Sequence, residues 1–72
     1  MNTAQFRELV DAVSDAKRSL QSAVASEREA EACRVQRWVR ELRECKWPKR
    51  LKDGDRQRAL RAMDQANEEV AK

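Results

Sequence analysis

Arg34, Arg37, Arg40, Arg43, Lys46 and Lys49 recur at every third position, and Trp38 and Trp47 are set among them. The stretch CRVQRWVRELRECKWPKRLK, residues 33–52, holds eight Lys and Arg, two Glu and both tryptophans of the chain. Guanidinium and ammonium groups bind phosphate oxygens and carboxylates, and an indole among them offers a stacking face or an interface anchor. The chemistry on offer is therefore binding, either of a nucleic-acid backbone or of an acidic protein surface.

How that charge is spread narrows the choice. Residues 1–33 carry a net −2, residues 34–61 a net +7 and residues 62–72 a net −2, so the overall +3 conceals a basic centre. Each step of three residues falls about 60° short of a full helical turn, so the arginine row winds around a helix instead of lining one face. Glu41 and Glu44 follow Arg37 and Arg40 by four and neutralise part of it. Taken one by one, these arginines read equally well as a solvated, salt-bridged helix surface.

The cluster around Pro48 is more pointed. Lys46, Lys49, Arg50 and Lys52 have only Asp53 and Asp55 as acidic neighbours, and both of those are placed to cap a helix. Trp38 shares an apolar stripe with Val35 and Leu42 and is expected in the core. Trp47 either plugs the end of a helical hairpin or stands exposed as an anchor. Stacking on bases usually takes several aromatics, and one spare tryptophan favours a protein partner. The expected partner-binding tip is thus Arg43, Lys46, Trp47, Lys49, Arg50 and Lys52. In the alternative, a nucleic-acid accessory factor, the contacts are Arg34, Arg37, Arg40, Arg56 and Arg58.

Other chemistries lack their residues. There is no His, no Gly-rich phosphate loop, no Cys pair at metal spacing and no nucleophile elbow. A non-enzymatic protein with no metal and no cofactor is expected. Cys33 and Cys45, twelve residues apart, would lie about 18 Å apart along one helix, too far for a bridge. They read as reduced thiols. No apolar run approaches the ~20 residues of a membrane span, and MNTAQFRELV lacks the plan of a secretory signal. The expectation is a cytoplasmic protein.

These residues must be positioned by helices. Seventy-two residues make one small domain, residues 1–72, with one Gly, one Pro and 40% charged side chains. The fold class is all-α. Phe6, Leu9, Val10, Val13, Ala16, Leu20, Ala23 and Val24 recur at steps of three and four, as do Val35, Trp38, Val39, Leu42 and Cys45. Phe6 and Leu42 are 36 residues apart, ten turns of one straight helix.

Between the stripes lies ASEREAEA, residues 25–32, and two readings of it are open. Its residues all favour helix, which predicts one long helix over about 3–46. Alternatively Ser26 and Glu29 form a capping box, the helix breaks near Ser26, and the chain makes a three-helix bundle. The composition favours the unbroken helix. A basic Pro/Gly loop, 47–54, follows, with Gly54 free to take a positive φ. A shorter helix over about 55–71 then packs back, presenting Leu60, Met63, Ala66 or Asn67, and Val70.

In the hairpin reading, Phe6, Leu9, Val13, Leu20 and Val24 project beyond the second arm with nothing in the chain to cover them. That predicts a homodimer, or a partner helix, along this stripe. In size and plan the hairpin with its basic loop is similar to small helical chaperones of secretion systems and short phage-encoded regulators, a resemblance that implies no site residues. The functional expectation is a small regulator, inhibitor or chaperone-like adaptor, bacterial or phage-borne, that binds another protein with an acidic surface.

Overall fold

The computed structural model describes all 72 residues as three helices, α1 (Thr3–Ser22), α2 (Arg28–Glu44) and α3 (Asp53–Ala71). They form an up-down-up bundle of 42 × 17 × 16 Å. The all-α expectation holds, and the long helix over 3–46 gives way to the broken alternative.

α1 begins where a capping box can form. Asn2 Oδ1 accepts from the Gln5 amide at 2.8 Å, and Gln5 Oε1 accepts from the Asn2 amide at 3.1 Å, which occupies two otherwise unpaired donors. The helix ends at Ala23, whose backbone is extended at φ −70°, ψ 140°. A tight turn follows, with the Glu27 amide on the Val24 carbonyl at 2.9 Å. α2 then starts behind Glu27 without any side-chain cap, so the expected Ser26–Glu29 box does not form. Glu29 and Glu31 in its first turn instead complement the positive end of the helix.

Burial explains why a stretch of good helix formers bends. Had the helix continued, Phe6, Val13 and Leu20 would have stayed in water. Folding back makes all three fully buried, alongside Val35, Leu42, Ala16, Ala59 and Ala66. Each large side chain so covered contributes about 1.5–3 kcal/mol. The break forfeits a few helical hydrogen bonds at about 1 kcal/mol each, and the turn restores some of them. Burial wins. The stripe expected to need a second copy is covered by the chain itself; of its members only Val24, 58% exposed, stays open, while Leu9 is half-buried.

The third helix also differs from its expected face. Ala59, Ala62 and Ala66 line the core with Glu69, while Met63 and Val70 are half-buried and Leu60 is 42% exposed. Methyl side chains let α3 lie close against the other two helices. The loop runs over 45–52, and Asp53 and Asp55 occupy the first turn of α3 without capping it. Gly54 sits in that turn with an ordinary negative φ.

A candidate anion-binding groove between α2 and α3

Three seams run along a three-helix bundle, and here each has its own chemistry. The α1/α3 seam is latched by polar links: Arg7 to Asp55, Lys17 to Gln65, and Gln21 to Glu69 at 3.1 Å. Asp55 accepts two hydrogen bonds from the Arg7 guanidinium, which holds its carboxyl below the usual range; Arg58 and Lys52 assist. Glu69 is nearly covered by the fold and accepts from Lys72 at 2.9 Å and from Gln21, contacts that hold it low as well.

The α2/α3 seam is different. It opens as a shallow groove of about 280 Å³ lined by Gln36, Val39, Arg40 and Arg43 of α2 and Asn67 of α3. An adjoining concavity of about 220 Å³, which shares Gln36 and Arg40, adds Arg37 and Cys33. The lining therefore presents three guanidiniums and two carboxamides, and no carboxylate. Arg37, Arg40 and Arg43 span about 9 Å of helix.

None of the three arginines is neutralised. The expected Arg37–Glu41 and Arg40–Glu44 pairs do not close: the ion pairs of the chain are Arg7–Asp55, Arg18–Asp15, Arg34–Glu31 and Lys72–Glu69. Lys46, Lys49, Arg50, Lys52 and Arg56 are likewise exposed and unpaired, the first four in the loop that closes one end of α2 and α3.

The structure thus regroups the residues singled out in the sequence. Arg40, expected as a nucleic-acid contact, joins Arg43 of the expected tip in the groove, and Arg37 lines the adjoining concavity on α2. Arg34 turns away to Glu31 at 3.7 Å. Arg58 lies on the opposite side of α3, in a small hollow with Phe6, Arg7 and Asp55. Gln36 carried no sequence signal and Asn67 entered only as an alternative to Ala66 on the packing face, because an amide in an exposed helix has meaning only once its neighbours are known.

Trp47 sits at the loop end with its ring turned inward. Its indole N–H donates to the Leu42 carbonyl at 2.8 Å, occupying an acceptor that the end of α2 leaves open. Its ring meets Phe6 edge-on, with centroids 5.0 Å apart and an interplanar angle of 66°. It plugs the loop end of the bundle. Trp38, half-buried, faces the α1/α2 seam beside Leu9 and Ala12. Neither tryptophan lines the basic groove.

The two thiols are free and differ in setting. Cys33 is exposed, whereas Cys45 donates to the Leu42 carbonyl at 3.2 Å and burial pushes its thiol up. No group of three or more His, Cys, Asp or Glu gathers in the fold, and no helix is long and apolar enough to cross a membrane. The chain matches no family model, no curated protein and no solved structure.

Proposed function

We propose that this protein is a non-enzymatic nucleic-acid-binding module that grips the phosphate backbone of a duplex through the α2/α3 groove and the loop beside it. The observation that carries the reading is the carboxylate-free lining of that groove and of the concavity beside it, with Arg37, Arg40 and Arg43 unpaired. Lys46, Lys49, Arg50 and Lys52 extend the positive surface past its end. A docking role for the α1 stripe and Trp47 is less supported, since Phe6, Val13, Leu20 and Trp47 are engaged in the core.

Duplex is favoured over single strands for two reasons. The duplex offers one negative charge per ~1.7 Å of axis, and no exposed aromatic flanks the groove to stack on a splayed base. Contacts to phosphate orient a protein without reading sequence. Binding is therefore sequence-independent and strongly salt-dependent.

The test is a titration of a labelled duplex, and of its single strand, at about 50 and about 200 mM salt. With several phosphates neutralised, duplex affinity falls by orders of magnitude between the two. Arg40→Ala weakens binding to every sequence alike and lowers the log–log salt slope by about 1. No binding at the lower salt, or affinity indifferent to salt, overturns the proposal. Tighter binding of the single strand overturns the duplex assignment.

A further inference from the structure

The α1/α2 seam is the one that nothing polar closes. Every polar side-chain link between helices runs to α3, from Arg7, Lys17 and Gln21 of α1 and from Arg28 of α2. Where α1 and α2 meet, a groove of about 310 Å³ opens to the outside, floored by Met1, Leu9, Ala12 and Trp38 and flanked by Glu8 and Glu41. Met1 is 48% exposed, and Leu9 and Trp38 are half-buried, each keeping part of its surface open. Both carboxylates are exposed and make no ion pair within the chain.

Shape and charge together describe what fits. A furrow between two antiparallel helices is where a fourth helix lies in a four-helix bundle, its side chains interlocking with theirs. The apolar floor calls for an apolar stripe, and the two free carboxylates call for cations at its edges. We infer that the α1/α2 seam is a docking site for a partner's amphipathic helix whose leucine-type stripe is flanked by lysine or arginine. Trp38 is the anchor, a large and half-desolvated aromatic near the middle of the furrow. A second copy of this chain does not supply such a helix, since the apolar stripes of its own α1 and α2 are already buried in its core. The site lies on a different seam from the basic groove and stands independently of what that groove binds.

The experiment uses two model peptides of about 18 residues, five helical turns. Both carry leucine at the i, i+3, i+4, i+7 spacing; one has lysine and the other glutamate at the remaining positions. Two-dimensional ¹H–¹⁵N NMR of the full chain resolves the two indole N–H signals. The lysine peptide is expected to shift the Trp38 indole and the Leu9 and Ala12 amides saturably, to leave the Trp47 indole in place, and to outbind the glutamate peptide. Reversing both exposed rim charges, Glu8→Lys with Glu41→Lys, weakens that binding about tenfold while the spectrum stays folded.

Four outcomes overturn the inference: no shift at the seam, equal binding of both peptides, shifts confined to the α2/α3 groove, or insensitivity to the double reversal. So does a concentration-dependent shift of Trp38 in the protein alone, matched by dimer in sedimentation, because the occupant is then a second copy.

Discussion

Replacing Trp47 separates a structural plug from a surface anchor. Trp47→Ala removes the indole donor from the Leu42 carbonyl, a bond worth about 1 kcal/mol. It removes the edge-on contact with Phe6, worth about another 1 kcal/mol. Covering more than half of this aromatic side chain adds at least about 2 kcal/mol at ~25 cal/mol per Å², less what alanine retains. The expected loss is about 3 kcal/mol, within the range for truncating a packed aromatic.

For a chain of 72 residues the whole stability is on the order of 4–11 kcal/mol. A loss of that size is a large share of it. With a urea slope of about 1 kcal/mol/M the midpoint falls by about 3 M, followed by circular dichroism at 222 nm. Trp47→Phe keeps an aromatic edge for Phe6 but loses the donor and part of the covered ring, so its midpoint falls by an intermediate amount, about 1–2 M. The order wild type, Phe, Ala is the signature. An alanine variant that unfolds at the wild-type midpoint refutes the plug and returns Trp47 to the surface.

Gly54→Ala is expected to raise stability by about 0.4–1 kcal/mol, because Gly54 has an ordinary helical φ and an added Cβ meets nothing within 4 Å; a lower thermal midpoint would contradict the first turn of α3. Ala66→Leu forces a larger side chain into a fully buried position on α3 and costs about 1–3 kcal/mol, read from urea unfolding. Acid weakens the fold by a defined route: Arg7 holds the Asp55 carboxyl low, and Lys72 and Gln21 do the same for Glu69. The stability they contribute is present above the unfolded carboxylate pKa, near 4, and is lost as pH falls through the depressed folded values. A urea midpoint that drops between pH 7 and pH 3, and drops less in Asp55→Asn, is the expected result; identical slopes would exclude Asp55 from the effect.

What could be read in advance was local. Helix content follows from composition, and the α1 stripe follows from period, since Phe6, Val10, Val13, Ala16 and Leu20 are all buried. The break at residues 23–27 has no local cause. Ala25, Glu27 and Arg28 would continue a helix willingly, and they yield to burial between residues tens of positions apart. The face of α3 misled for a related reason. Leucine suggests a core position, yet Leu60 is exposed and alanines face inward, because close approach of three helices favours small side chains at the seam. The basic residues were visible as a group, but their division among seams depends on helix rotation. That division separates Arg40 and Arg43, free in a groove, from Arg34, engaged with Glu31, and Arg58, beside Asp55.

The α1/α3 links share one spacing: Arg7 with Asp55, Lys17 with Gln65 and Gln21 with Glu69 are each 48 residues apart. A constant offset means that the two helices run parallel and in register, so Met1 and Lys72 leave from opposite ends of a body 42 Å long. Tension applied through the two termini would then load the links together, in shear, instead of peeling them one after another. Such a body meets a stretching force along its whole length at once, unlike a hairpin, whose ends lie side by side and open like a zip.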